Sequence, residues 1–337
     1  MTDIEKTLGE LKDMMQKATT NSTYAFSPAA RSIFAPENLD PVVKLMVPTA
    51  TPLRSVLPRT KGFGQAAAWK MLTSQLAPGN KGTGTISGST AGTGYKAGFA
   101  DAGQPNTSTT YTMSVTTAAY KNLGADVEVG RQAIASSRGY QAIRDELVRF
   151  KTYEVMLGEE NMILNGDSSI DSTEFDGLGK TLTTNSGTLS LLTASGIAAQ
   201  ILSPYWSYGA VFQKLVANPY QIKALADDLQ GSGSIQRIVV DNQGAGVGGI
   251  HLSKIVNSVD GSLIDVISSR YSGSWGYLLT ITEPNGENAI EVEDLDPLSV
   301  YEPATANHSV ISRVYETSVL KVIYEVHQKK IGGLAYQ

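Results

Sequence analysis

The chain has 337 residues, 41% of them hydrophobic, enough for a globular core and long enough for two lobes or one domain with large excursions. There is no cysteine, which excludes disulfides, thiolate metal sites and cysteine nucleophiles. A net charge of −5 excludes general neutralisation of nucleic-acid phosphates, and no apolar run reaches the roughly 18 residues that a membrane helix needs. Charged residues at only 18% beside 33 glycines point to a surface covered by other chains.

Residues 3–18 read as a short amphipathic helix: Ile4, Leu8, Leu11 and Met15 share a face, and Thr2 with Glu5 has capping-box spacing. No basic stretch followed by an apolar run precedes it, so no signal peptide is expected. Residues 19–58 carry six of the 13 prolines (Pro28, Pro36, Pro41, Pro48, Pro52 and Pro58). That density prevents helices and central strands and leaves an extended arm, lying on its own domain or across a neighbour.

Residues 63–72 and 109–117 read as two sides of a hairpin, with Tyr111, Met113 and Val115 alternating with polar residues. The Gly-, Ser- and Thr-rich stretch 73–108 between them is too polar to fold alone and is expected to project as a flexible loop. Leu123, Ala125, Val127 and Val129 alternate as a further strand leading into a long helix over about 140–165. In that helix Ile143, Phe150, Leu157 and Leu164 sit seven residues apart, flanked by Tyr140, Leu147, Tyr153 and Met156, and Asn165-Gly166 is a stop signal. Some 25 residues at about 1.5 Å each give a strut of roughly 37 Å.

From about residue 186 the pattern becomes mixed α/β. Asn218-Pro219 supplies an N-cap and first-turn proline for a helix through about Leu229. Ile238–Val240, Ile264–Ile267, Leu278–Thr282 and Ile290–Val292 read as strands, the last two joined by a Glu283-Pro284-Asn285-Gly286 turn. Leu320, Val322, Tyr324 and Val326 alternate as a final strand, with Lys321, Glu325 and His327 on its polar face.

None of the motifs supports catalysis, a cofactor or a metal. Gly244-Ala245-Gly246-Val247-Gly248-Gly249 matches GxGxxG, but Asp241-Asn242-Gln243 separates it from the preceding strand and too few residues follow for a full helix, so it reads as a loop. Gly179-Lys180-Thr181 mimics the end of a phosphate loop, but Glu174 stands where that loop requires glycine. Asp167, Ser169, Asp171 and Thr173 have the alternation of a calcium loop, but Ser172 and Leu178 replace its glycine and its bidentate acid, leaving a polar turn. His251, His308 and His327 show no paired-ligand spacing. Glu291, Glu293, Asp294 and Asp296 form an acidic run of the kind that usually lies in a solvated turn.

The order of proline-rich arm, long hairpin, long helix, α/β lobe and returning strands resembles the HK97-fold major capsid proteins of tailed bacteriophages. Locally the resemblance rests on Glu159-Glu160-Asn161-Met162-Ile163-Leu164-Asn165-Gly166-Asp167, on Phe175-Asp176-Gly177-Leu178, and on Asn218-Pro219 at a helix start. It implies an α+β fold with an N-terminal arm at 1–58, an extended loop (E-loop) at 59–122, a peripheral domain from 123–185 and 300–337, and an axial domain at 186–299.

It also implies a non-enzymatic protein that assembles with itself into the pentamers and hexamers of an icosahedral head in the host bacterial cytoplasm, ending in the virion and enclosing double-stranded DNA without sequence-specific binding. A separate scaffolding protein is expected, since the chain leaves no room for a long cleaved leader, together with a portal and possible decoration proteins; no membrane is involved. Lys81 and Lys96 lie in the loop where some relatives form isopeptide cross-links, but no matching Asn and Glu is identified. Two alternatives stay open: an encapsulin-type compartment, and a nucleotide-dependent enzyme using residues 244–249.

Overall fold

The computed structural model describes residues 50–72, 113–137, 142–231, 252–257, 259–304 and 308–335, all within one compact unit. The expected helix at 3–18, the arm up to residue 49, loop 73–108, the strand Ile238–Val240, the glycine run 244–249, and Lys81, Lys96, Tyr140 and His251 lie outside them.

The chain enters through a single helical turn, Pro52–Val56 (α1), and a short strand, Arg59–Lys61 (β1). The prolines were expected to forbid helix here. Pro52 instead occupies the first helical turn, where its missing N–H costs nothing and its fixed φ suits the helix. Ala66–Leu72 (β2) and Met113–Ala119 (β3) form the expected antiparallel hairpin. Lys121–Gly130 (β4) alternates as expected, with Leu123, Val127 and Val129 buried. A short helix, Arg131–Ser136 (α2), intervenes before the strut, Ile143–Asn165 (α3), which has 23 residues.

α3 packs on β4 and on the long strand Ser309–Val322 (β11), within a sheet ordered β1, β10 (Ile290–Tyr301), β11, β4. Its buried residues are Val155, Glu159, Glu160, Ile163 and Leu164, while Ile143, Phe150 and Leu157 are only partly covered and Leu147 is exposed. A seven-residue repeat drifts about 20° per heptad around a straight helix, so the stripe read from sequence leaves the sheet, and an i, i+4 row faces it instead.

After a short helix, Leu178–Thr181 (α4), the chain builds a second sheet of six strands. Their order is Ser186–Thr188 (β5), Lys329–Gly332 (β12), Gly276–Leu279 (β9), Lys214–Ala217 (β6), Leu263–Ser268 (β8) and Lys254–Val256 (β7). Ala194–Tyr208 (α5) and Pro219–Gly231 (α6) accompany it, and Leu192, Ile197, Ile201, Phe212, Leu215 and Leu225 belong to its core. Asn218 Oδ1 accepts the Gln221 N–H at 2.9 Å, the expected cap of α6.

Strand pairing crosses three expected boundaries. Arg59–Lys61, expected in the extended loop, pairs in parallel with β10. Residues 290–299, expected in the 186–299 lobe, pair with β11 in the first sheet. Lys329–Gly332, expected with residues 123–185, pairs with β5 and β9 in the second. Such backbone pairing is invisible in a linear pattern.

Candidate functional site

The acidic end of the strut is its least expected part. Glu159, Glu160 and Glu316 are fully buried, and Asp294 nearly so. Ionised carboxylates survive there only with partners. Arg54 from α1 bonds Glu159 and reaches Glu316 at 3.2 Å; Arg59 from β1 bonds Glu159, Glu316 and, at 3.0 Å, Asp294. The Glu160 carboxylate accepts the Leu53 N–H (3.2 Å) and Arg54 N–H (2.7 Å), donors that a helix start leaves free, and the Ser269 hydroxyl at 3.1 Å.

Burial raises the pKa of Glu160 and Asp294 above the ordinary carboxylate range. For Glu159, burial and then the Glu316 charge act in the same direction, against the two arginines. Burial would lower Arg59, but the charges of Glu159, Glu316 and Asp294 outweigh it and hold it firmly protonated. Carboxylate oxygens of Glu159, Asp294 and Glu316 lie within 4.8 Å of one another, close enough for a cation to bridge. The guanidinium groups of Arg54 and Arg59 are that cation.

At the strut's end two segments cross almost in contact. The Gly166 N–H donates to Met162 O (2.9 Å) and the Gly177 N–H to Gly166 O (2.9 Å). A Cβ on Gly166 would fall on the carbonyl oxygens of Phe175 and Met162, and one on Gly177 on that of Met162. Phe175 is buried directly beneath.

Two surfaces face outward with apolar side chains. In the hairpin the register pairs Trp69 with Thr116 and Met71 with Ser114, so these line the inner face. The opposite face carries Met113, 70% exposed, and Val115, 63% exposed. The alternation anticipated for β3 is present, but its apolar side points away from the body. On α5, Ile197, Ile201 and Pro204 are buried, whereas Leu202 (55% exposed) and Trp206 (76% exposed) point outward, one helical turn apart. No Asp, Glu, Lys, Arg or His occurs between Lys180 and Lys214, so this outer face has no charge to hold water.

No family model and no curated protein matches the sequence. Solved structures do. The capsid of Cyanophage A-1(L) is similar with a TM-score of 0.63 at 12% identity, covering 92% of this chain and 100% of that one. The holo-SrpI encapsulin complex from Synechococcus elongatus aligns with a TM-score of 0.58 at 13% identity, covering 93% and 99%. The capsid of Myoviridae Phage XM1 aligns with a TM-score of 0.56 at 10% identity, covering 88% and 97%.

The chain has the HK97-like capsid fold.

Within that fold, the residues weighed as chemical motifs are tied up locally. Lys180 Nζ is held by Asp167 (2.6 Å) and Asp176 (3.1 Å), and Glu174 accepts the Asp167 N–H at 3.3 Å. Asp167 and Asp171 accept the backbone N–H groups of Ser169 and Thr173 at 2.9 and 2.8 Å, which makes the calcium-like stretch a pair of side-chain-capped turns. His308 is exposed.

Two expectations are corrected. β11 ends at Val322, so His327 sits on the 3₁₀ turn Glu325–His327, where Nδ1 lies 2.6 Å from Glu283 and the ring stacks on Tyr324. The acidic run lies on β10 rather than in a solvated turn: Glu291 bonds Lys321 at 2.9 Å and Asp294 joins the cluster, because partly buried cations, Lys321 of β11 and Arg59 of β1, compensate them. The cluster's arginines and the outward face of α5 escaped the sequence reading. The uncharged run after Lys180 was a signal for the second; nothing local marks Arg54 and Arg59.

Proposed function

We propose that the chain is a major capsid protein of a tailed bacteriophage, which assembles into pentamers and hexamers of an icosahedral head around double-stranded DNA. The observation that carries this reading is the pair of outward apolar faces, Met113/Val115 and Leu202/Trp206, on a fold shared with shell-forming proteins. Side chains of this size left in water favour association at about 25 cal/mol per Å² covered, and a shell supplies sister copies to cover them. Many modest contacts then sum through multivalency. Catalysis has no role in it.

In this reading residues 1–58 are the arm that reaches a neighbour and the hairpin with its 73–108 connection is the extended loop. The sheet beneath α3 is the peripheral domain and the six-stranded sheet the axial domain. The protein's net charge of −5 suits an inner wall along which packaged DNA slides. A separate scaffolding protein and a portal are its assembly partners, and the virion its destination. The encapsulin likeness keeps a cargo shell as the competing reading; the long Gly-rich connection and proline-rich arm favour the phage head.

The test is expression in bacteria with and without the phage's scaffolding protein, followed by negative-stain microscopy. Closed shells of head size are expected, and shells that package a co-purifying enzyme instead of DNA would select the encapsulin reading. A protein that stays monomeric with its scaffold present would refute both.

A further inference from the structure

The β2–β3 hairpin pairs with no other strand among the described residues, and a two-stranded ribbon is marginal on its own. Its inner face stands off the body. A cavity of about 370 Å³ lies between them, lined by Trp69, Met71 and Thr116 on the hairpin and by Phe175, Leu320 and Glu325 on the body. Backbone fastens the ribbon at two root points: the Gly62 N–H donates to Asp294 O of β10 at 2.7 Å, and Lys121 pairs with Ser318 of β11. Two points define an axis and leave rotation about it free, so the angle over the cavity depends on contacts away from that axis. At the base Ala67 and Ala118 meet the core, each with a single methyl group. Two larger side chains reach one ion pair. Tyr120, at the joint between β3 and β4, donates its hydroxyl to Glu293 of β10, and Trp69 of β2 lies over Lys321 of β11, with Nζ 5.9 Å from the ring centre. Lys321 bonds Glu293 at 3.2 Å and Glu291 at 2.9 Å, and all three side chains are largely buried. A Cβ on Gly62 would fall on the Tyr120 hydroxyl, so the entry segment is shaped to this contact as well.

We propose that the Lys321–Glu293 pair is a clamp that aims the hairpin: it grips one side chain from each strand, Trp69 and Tyr120, and so fixes the angle at which Met113 and Val115 are presented. The grip is firm because it is poorly screened. A hydrogen bond to a largely buried carboxylate is charge-assisted, and an ammonium over an indole face gains up to about 2 kcal/mol where water is excluded. Lys321 offsets the charge that Glu291 and Glu293 bring into this site, which keeps an acceptor for Tyr120 beneath the ribbon. Burial, and then the bond to Glu293, pushes the Tyr120 hydroxyl up to about 12, so it remains a donor through the physiological range. The lever is long. Val115 lies five residues before Tyr120, roughly 17 Å along the strand, so a change of about 20° at the root moves it by roughly 6 Å. The clamp is a property of the folded chain and stands whether or not the chain builds a shell.

The chain has no cysteine, so spin labels can be placed by substitution alone. Labels at Val115→Cys on the hairpin and Ile170→Cys on the body, both exposed positions, report the angle through pulsed electron–electron distance measurement on the unassembled full-length chain. Labels at Ile170→Cys and Lys223→Cys form a control pair within the body. With the clamp intact, one narrow hairpin–body distance is expected. Glu293→Ala and Lys321→Met are expected to broaden it or to shift it by roughly 6 Å while the control distance stays unchanged. A distribution that is already broad with the clamp intact overturns the proposal. So does a narrow one that is the same in Glu293→Ala and Lys321→Met alike. Should those variants disturb the control pair too, Tyr120→Phe, which removes only the hydroxyl, decides by the same criterion.

Discussion

Replacing Arg54 by methionine removes a cation while keeping most of the side chain's volume. Its side chain is 14% exposed and those of Glu159 and Glu316 are fully buried, so solvent screening is weak and the carboxylates have no water to turn to. Arg59 alone would then face Glu159, Glu316 and Asp294. Removing one member of a buried pair costs about 3–5 kcal/mol, because the partner's charge stays behind unpaired. That is a large part of the roughly 5–15 kcal/mol by which a domain is stable. The loss should shrink as pH falls from 7.5 to 5.5, since the orphaned carboxylates can then take up protons. Glu159→Gln in the same chain should recover part of it at pH 7.5. Urea unfolding of unassembled protein, followed by tryptophan fluorescence, measures both. A cost below about 1 kcal/mol at pH 7.5, or one that is the same at both pH values, would show that the cluster is solvated or rearranges and would refute this account.

Other expectations concern sterics, pH and surface. Gly177→Ala should destabilise by about 1–3 kcal/mol through overpacking, whereas Gly158→Ala, at an open helical position with nothing within 4 Å, should stabilise by up to about 1 kcal/mol; denaturation curves of the two separate close approach from propensity. Asp126 is pulled down by its bonds to Arg313, and Asp167, pulled down to about 2, by Lys180 and then Ser169. Their contributions are present above pH 3.8, the ordinary carboxylate value, and are lost as pH falls through the folded values, so together with the raised cluster they place maximal thermal stability on the acid side of neutrality. A melting temperature that rose steadily from pH 5 to 8 would contradict this. Trp206→Asp with Leu202→Asp should abolish or greatly reduce assembly, seen by sedimentation, while changing monomer stability by no more than about 0.5 kcal/mol per site; shells formed as before would remove α5 from the contacts.

The order of the main elements was legible because it depends on local signals. The Asn218-Pro219 cap, the Glu283–Gly286 turn with its Gly286 N–H donating to Glu283 O at 2.9 Å, and the period of β4 each declare themselves within a few residues. The motifs behind the resemblance, Asn165-Gly166-Asp167 and Phe175-Asp176-Gly177, looked like short loops with no chemistry forcing them. They carry glycine because two backbone segments cross with no room for a Cβ. What stayed hidden is non-local. Arg54 and Arg59 lie about a hundred residues from Glu159, so their pairing needs the fold to be visible, and a separation of 235 residues between Arg59 and Asp294 hid the role of the latter. The α5 helix escaped because its apolar residues face both inward and outward, which blurs an amphipathic period.

A buried arginine–carboxylate cluster is a costly way to fasten a strap, since well-packed apolar residues of similar volume often hold as well or better. Its advantage is geometric. β1 pairs with β10 over only three residues, Arg59 to Val292 through Lys61 to Asp294, too few for backbone pairing to fix the register strongly. Sliding β1 by one residue would turn the Arg59 side chain to the opposite face of the sheet, away from Glu159 and Glu316, and leave both carboxylates buried without it. An apolar side chain would penalise that slip far less, because neighbouring apolar pockets can take a shifted methyl group. The cluster thus converts a three-residue pairing into a single admissible seat.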